Sequence, residues 1–467
     1  MKTFDLIIIG GGAGAFGAAI RANELQANTA MINAGLPLGG TCVNVGCVPS
    51  KTLLYAGEIM HLARSHGIPG IELAVKSFDF QKVVQHELAL VEKLRDEKYS
   101  TVLKNLEHVT FLEGRAKFVS RNKIEVNGKT ISAQKYIIAT GSTASVTSIE
   151  GIRETGFVTH VEALALERQP KELIIIGGGP LGLEFSQIYS RFGTKVNLLK
   201  RSSSIHPISE SELTERLAQI LSQEGITIKR GVRITKAWRE GEKKTVSFIL
   251  DGKEERVSAD EILLASGKIP NTAGLELDTA GVKIGGNQAI VVNEYFQTSH
   301  PDVFAAGDVA NLPLRLETTA GHEGTLAAEN ALTGSRKTID YATVPYTIFT
   351  DPQLAGVGLT EEEQMKRFGT CMCRTVSFTD IPKAIITKRT EGLIKMAINP
   401  ETKQITGVHI LAPHAGELVA QAMMLVKNKN TIDDVVDSLP VFPTLSESIK
   451  LAALSFTKDI SKLSCCV

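Results

Sequence analysis

Two stretches of the chain share one pattern of apolar and small residues. Phe4-Asp5-Leu6-Ile7-Ile8-Ile9 is a nearly continuous apolar run of the kind that forms a strand buried on both faces. It turns through Gly10-Gly11-Gly12-Ala13-Gly14-Ala15 into an alanine-rich segment that predicts a helix. Glu172-Leu173-Ile174-Ile175-Ile176 repeats the run, and Gly177-Gly178-Gly179-Pro180-Leu181-Gly182 repeats the turn. Each unit is followed by another apolar strand, around residues 29–32 and 195–199, as a βαβ unit requires. The pattern therefore predicts two nucleotide-binding domains.

Apolar strands at 135–140 and 261–265 end in Ala139-Thr140-Gly141-Ser142 and Ala265-Ser266-Gly267-Lys268, and a later one ends in Phe304-Ala305-Ala306-Gly307-Asp308. From about Tyr341 the nucleotide motifs stop, and strands and helices alternate to the C-terminus. We place boundaries near residues 150, 270 and 340. Residues 1–150 and 271–340 form two parts of one domain, 151–270 a second, and 341–467 a third. The fold class is α/β with two Rossmann-like domains, and 467 residues accommodate about three domains with their own cores.

Charge changes the picture by exclusion. Fifty-one Lys and Arg balance 51 Asp and Glu, which leaves no electrostatic footprint for nucleic acid or an anionic membrane surface. No apolar run reaches the length that spans a bilayer, and no secretory segment opens the chain, so a cytoplasmic protein is expected. Six cysteines are then better read as catalytic, metal-binding or incidental than as a disulfide framework.

The first glycine turn reads Gly10-x-Gly12-x-x-Ala15 directly after its strand, where a pyrophosphate would meet backbone N–H groups and a helix N-terminus. A tight strand–helix connection without a ligand gives the same pattern. The ribose position holds Asn33 in place of an acid. The second copy, Gly177-x-Gly179-x-x-Gly182, is a complete fingerprint, and its second strand ends in Lys200-Arg201. Cations there suit a 2′-phosphate and favour NADPH over NADH, unless both side chains point to solvent.

The run Gly39-Gly40-Thr41-Cys42-Val43-Asn44-Val45-Gly46-Cys47-Val48-Pro49-Ser50-Lys51 carries the chemistry. Two cysteines separated by four residues can close a small redox-active disulfide. A zinc site would need two more ligands at matched spacing, and the ten histidines offer no such cluster. Lys51 shares a helical face with Cys47 if the helix has begun there, so it can hold a flavin or a thiolate charge.

With these motifs in this order, the chain resembles the pyridine nucleotide–disulfide oxidoreductases over essentially its whole length. The resemblance implies a glutathione-reductase-like architecture with FAD at the first turn, among Gly10, Gly12, Ala15, Asn33, Gly35, Gly40, Thr41, Lys51, Thr140, Gly141, Ser142, Gly267 and Asp308. It implies NADPH at Gly177, Gly179, Gly182, Lys200 and Arg201. It further implies that Lys51 and Glu184 flank the reactive end of the isoalloxazine, that Cys47 lies against it, and that Cys42 faces substrate. Residues 341–467 would be an α+β dimerisation domain that completes the partner's active site in a homodimer.

Substrate is read from the C-terminal region. Dithiol-using members of the family carry His-Pro-Thr where this chain has Phe442-Pro443-Thr444, followed by Glu447. Phenylalanine cannot shuttle the proton that a thiol leaving group needs. Reduction of a thiolate-bound metal ion needs no such acid, and soft Hg(II) favours thiolates. The tail, Cys465-Cys466-Val467, resembles the vicinal pair of mercury(II)-reducing members and would pass the metal to Cys42 and Cys47. Pro180 departs from the aromatic residue that several relatives carry over the nicotinamide site. A disulfide reductase acting on lipoamide or another low-molecular-weight disulfide is one alternative, and a non-catalytic metal-binding protein on the same scaffold is another. Cys371 and Cys373 could form a metal pair, but the sequence favours two small core or edge residues. His322, Glu323 and the other scattered His and Glu residues form no recognisable acid–base set, and most of them are expected to be solvated.

Overall fold

A computed structural model describes residues 3–203 and 209–464. Its first sheet has seven strands. Val109–Glu113, Thr29–Asn33, Thr3–Ile9 and Lys129–Ile138 lie parallel and in that order, and Val303–Ala305 returns to pair in parallel with Lys129–Ile138. The hairpin strands Ala116–Ser120 and Lys123–Val126 extend the other end. Leu6, Ile7 and Ile8 are wholly buried: helices Ala13–Glu24 and Glu317–Thr333 cover the face of Leu6 and Ile8, while Phe118 and Ile124 of the hairpin, with Leu275 and Ile290, cover that of Ile7.

The second sheet repeats the arrangement with Thr227–Arg230, Lys195–Lys200, Glu172–Ile176 and Glu261–Leu264, all parallel. An antiparallel three-stranded sheet, residues 233–259, packs beside it. The C-terminal unit is a five-stranded antiparallel sheet in the order Tyr346–Ile348, Gln353–Gly358, Ile405–Ala412, Leu393–Ile398, Met372–Ser377, with helices Ala415–Lys427 and Glu447–Leu454 against it. The fold is α/β with two Rossmann-like sheets and an α+β C-terminal unit.

The two glycine turns are built alike because their first glycines face the same obstacle. Gly10 has φ +141° and Gly177 φ +117°, and a Cβ on either would lie 2.2 Å from a backbone oxygen, of Ala139 and Ala265 respectively. Only glycine allows a strand end to approach its neighbour this closely before turning into a helix. The next helices are Ala13–Glu24 and Pro180–Phe192, the latter with Pro at its first position, where the missing N–H costs no hydrogen bond.

Helix Cys47–Ser65 packs against helix Pro180–Phe192, and through it the first sheet is tied to the second. Arg191, 5% exposed, fixes the same junction: it pairs with Glu224 at 2.8 Å and with Asp351 at 3.0 Å. Such a buried cation is tolerated because both partners satisfy it.

Glu87, on helix Phe80–Arg95, is the opposite case: it is fully buried and neither carboxylate oxygen has a hydrogen-bond partner. Burial alone pushes its pKa up to about 7. A carboxyl that holds its proton more tightly when folded costs stability as pH rises from its unfolded value through about 7. Glu87→Gln should therefore be more stable than the parent at pH 8 by roughly 2–3 kcal/mol, and nearly equal to it at pH 4. Thermal unfolding at the two pH values checks this, and equal gains at both would refute it.

A thiol pair in a cleft beside the first glycine turn

A cleft of about 740 Å³ runs from the first glycine turn to the cysteine pair. Gly10 and Gly12 line one end, with Asn33 and Gly35 beside them, while Gly40, Thr41, Cys42 and Cys47 line the other. Thr140, Gly141, Ser142 and Asp308 form a wall. Of the residues expected to hold FAD, Ala15 is fully buried inside its helix, and neither it, Lys51 nor Gly267 lines the cleft, although Lys268, next to Gly267, faces in. The second turn, at Gly177, Gly179 and Gly182, belongs to the other sheet.

The features of this cleft fit a dinucleotide cofactor. Its volume falls in the upper range of ligand sites. Backbone closes round it so tightly that a Cβ on Gly40 would lie 2.7 Å from the Cα of Gly12. Asn33 packs its side chain on the turn, against Gly11, and donates to the Leu36 carbonyl at 3.0 Å. Asp308 accepts from the Ser142 hydroxyl at 2.5 Å, so two residues 166 apart in sequence meet on one wall.

The cysteines sit on consecutive helices, Gly40–Val45 and Cys47–Ser65, with Gly46 between them. They are free thiols joined by a hydrogen bond, the dithiol form of the pair. Their environments split them. Cys47 is pulled down to about 6 by the hydrogen bond from Cys42, against the opposing effect of burial, and by the nearby charge of Lys51. It is the first residue of its helix, where backbone N–H groups also favour an anion. Cys42 is pushed up, first by donating to Cys47 and then by burial, and so keeps its proton.

Lys51 is placed by helix geometry, one turn on from Cys47. Its Nζ donates to Glu184 at 2.8 Å and lies 4.6 Å above the Phe349 ring. Glu184 in turn accepts from the Phe349 backbone N–H at 2.9 Å. The pairing of Lys51 with Glu184 was legible in the sequence only through family resemblance, and Phe349 was not legible at all.

Two further residues complete the thiol environment, and no motif in the sequence marks either. Glu317, first residue of helix Glu317–Thr333, is hydrogen-bonded to the Cys42 thiol and to the Tyr99 hydroxyl. Burial, with the charge of Cys47 adding to it, raises its pKa to about 7. Tyr99 is delivered by a π-helical turn, Asp96–Ser100, and its ring packs edge-on to Phe16 at 4.9 Å. Burial raises it to about 12, so it stays a hydrogen-bond donor.

Several expectations change. Glu323 is fully buried rather than solvated: it accepts from the Gly307 N–H at 2.7 Å and from the Tyr341 hydroxyl at 2.8 Å, and so supports the Asp308 turn from behind. Lys200 turns inward, donating to the Gly178 carbonyl at 3.2 Å within the second glycine turn, which leaves Arg201 as the exposed cation of the pair. Glu447, which follows Phe442-Pro443-Thr444, accepts from the Thr444 N–H at 2.9 Å. Phe442 stands on the surface at 46% exposure beside Val441 and Leu439. Cys465 and Cys466 lie outside the described residues.

Comparison with known proteins places these features in a wider set. Residues 4–331 match the family model of pyridine nucleotide-disulphide oxidoreductases, and residues 344–453 match the dimerisation domain of the same family. The chain is 38% identical to a mercuric reductase of Lysinibacillus sphaericus over 99% of its own length and 84% of that protein's. It is 37% identical to a mercuric reductase of Staphylococcus aureus with the same coverage. Among solved structures, the Cu(II) complex of the HOCl-induced flavoprotein disulfide reductase RclA from Escherichia coli superposes with a TM-score of 0.86 at 26% identity, covering 98% of this chain and all of that one. No helix among the described residues is long and apolar enough to cross a membrane.

The split between the two thiols gives a direct test. Titration of the ultraviolet thiolate absorbance of the reduced protein should show one group with a midpoint near pH 6. Cys47→Ser should abolish it and Lys51→Met should move it upward. A midpoint that survives Cys47→Ser would assign the thiolate to the wrong sulfur.

Proposed function

The chain belongs to the pyridine nucleotide-disulphide oxidoreductase family, and from that membership we propose that it reduces Hg(II) to Hg(0) at the Cys42–Cys47 pair with electrons from NADPH. The family works with FAD and a pyridine nucleotide; FAD, when bound, relays two electrons between nicotinamide and sulfur. The observation that carries the reading is the asymmetric dithiol: one sulfur poised as an anion, the other protonated beside a carboxyl of pKa about 7.

The overall balance is one Hg(II) bis-thiolate plus NADPH and a proton giving Hg(0), NADP⁺ and two thiols. Before reduction, the metal must change ligands. The Cys47 thiolate displaces one thiolate from the incoming complex and Cys42 displaces the other, giving up its proton as it binds. Glu317 is already hydrogen-bonded to that thiol and offers the proton a place to go. Tyr99, donating to the same carboxylate, steadies its charge until the proton arrives. Ligand exchange of this kind needs no imidazole, which agrees with Phe442 standing where dithiol-using relatives have histidine.

FAD would lie along the cleft from Gly10 and Gly12 to Cys47, with Asn33 at its ribose, Asp308 near its middle and Lys51, held by Glu184, at its reactive end. NADPH would bind at the second turn, with Arg201 and secondarily Lys200 taking the 2′-phosphate. The exposed apolar residues Leu439, Val441 and Phe442 suit burial against a second copy of the chain, whose Cys465 and Cys466 would deliver the metal in a cytoplasmic homodimer.

Hg(II)-dependent NADPH oxidation by FAD-loaded enzyme in excess thiol tests the reading. Cys42→Ser should lower turnover about a hundredfold or more. Lipoamide turned over in preference to Hg(II), or the absence of Hg(II)-dependent oxidation altogether, would overturn it. Arg201→Glu should lower kcat/KM for NADPH roughly tenfold while leaving that for NADH nearly unchanged. Cys465→Ala/Cys466→Ala should lower the rate roughly tenfold only when external thiol is scarce, and an unchanged rate there would remove the tail from metal delivery.

A further inference from the structure

Cys371 and Cys373 stand apart from this chemistry: neither lines the cleft, and both are half-buried at the start of the edge strand Met372–Ser377. The alternation of a strand puts them on one face, and here they form a disulfide with Cα atoms 5.8 Å apart. Cys373 is held in register opposite Ala397, so its backbone is fixed by the sheet. The Glu361 carboxylate lies over the same spot, with a ligand oxygen within 4.8 Å of both sulfurs. Glu361 opens helix Glu361–Phe368, capped by Thr360, and is anchored by an ion pair with the buried Lys395, which also pairs with Glu210 at 3.2 Å. Two sulfurs and one oxygen thus converge on a fixed sheet edge.

We propose that Cys371 and Cys373, once reduced, form a second binding site for a soft, two-coordinate thiophilic cation such as Hg(II), with the Glu361 carboxylate as a weak third contact. The donor set selects the ion. Zinc asks for four ligands, and three atoms of this kind leave it short, whereas an ion content with two thiolates is fully satisfied. With metal–thiolate bonds no shorter than the ~2.3 Å found for zinc, the sulfurs of a linear complex stand about 4.6 Å apart or slightly more. Rotation about the two Cα–Cβ bonds opens the sulfurs from bonding distance to that spacing while the strand stays paired. Charge also suits a cation: two thiolates neutralise a divalent ion, and Lys395, shared between Glu361 and Glu210, leaves the carboxylate pair net negative beside it.

The disulfide acts as the gate. Two external thiols reduce it by exchange, giving the free dithiol and one external disulfide. The dithiol then takes Hg(II) from a bis-thiolate complex and releases two thiols, with the metal remaining Hg(II) and no electron transferred. One dithiol replacing two independent thiols is favoured by effective concentration. The site would hold mercury that the cleft has not yet reduced, and it would do so only while thiols keep the pair open.

The proposal goes beyond the cleft reading and does not depend on it. The test uses full-length, FAD-loaded enzyme and its Cys371→Ser/Cys373→Ser variant. Both are reduced with a dithiol, freed of it, equilibrated with Hg(II) in excess glutathione without NADPH, desalted and assayed for mercury per chain. The variant should retain one mercury fewer, with Hg(II)-dependent NADPH oxidation unchanged. Tryptic digestion of the mercury-loaded parent supplies a readout that needs no substitution: the peptide 368–374 should carry one mercury in place of two protons. Equal mercury counts together with a mercury-free peptide would overturn the proposal. Failure of the cleft reading would show instead as absent NADPH oxidation in both proteins.

Discussion

The ion pair between Lys51 and Glu184 is the contact on which the rest of the site depends. Lys51 lies one turn from Cys47, Glu184 sits in the helix after the second glycine turn, and the Phe349 N–H from the C-terminal unit closes the group. Glu184 is 5% exposed, and a buried carboxylate is tolerable only while both of its partners stay in place. The three parts of the chain are therefore locked together beside the cysteine pair. Arg191, with Glu224 and Asp351, repeats the device two turns further along the same helix.

Around that lock, the two thiols are made unequal by their protein neighbours. Cys47 has a helix N-terminus, a lysine and a donated hydrogen bond; Cys42 has burial and a carboxyl neighbour. This division gives one sulfur to attack and one to follow, which suits a substrate that arrives with two thiolates to be exchanged in turn. Glu317 and Tyr99 give the second sulfur a polar outlet that Phe442 could not provide. The remote pair at Cys371 and Cys373 shows the same preference for paired sulfur expressed on a sheet edge, with Glu361 in place of Glu317.

The two Rossmann-like halves also show how one local rule serves two different ends. Both glycine turns solve the same close approach to a neighbouring strand, at Ala139 and at Ala265. Beyond the turns the two halves diverge: the first opens on a long cleft that ends at sulfur, while the second has Lys200 folded onto Gly178 and Arg201 left facing out. The fingerprint alone fixes where a nucleotide can approach, and the side chains at the end of the next strand decide how its far end is met.

The amino-acid pattern by itself determined the strands, the glycine turns and the spacing of Cys42, Cys47 and Lys51, because each rests on local sterics or on helical and strand periodicity over a few residues. Those signals survive whatever the rest of the chain does. Tertiary structure alone decided that Glu317 meets Cys42, that Tyr99 reaches the same carboxyl, that Phe349 caps Glu184 and that Glu323 is buried behind Asp308. These contacts join residues far apart in sequence, and an isolated Glu or Tyr carries no mark of the partner it will find. Lys200 and Cys371 teach the same point: a strand's register says which face a side chain leaves from, but only the packed neighbours decide whether it meets a carbonyl, a second sulfur or water.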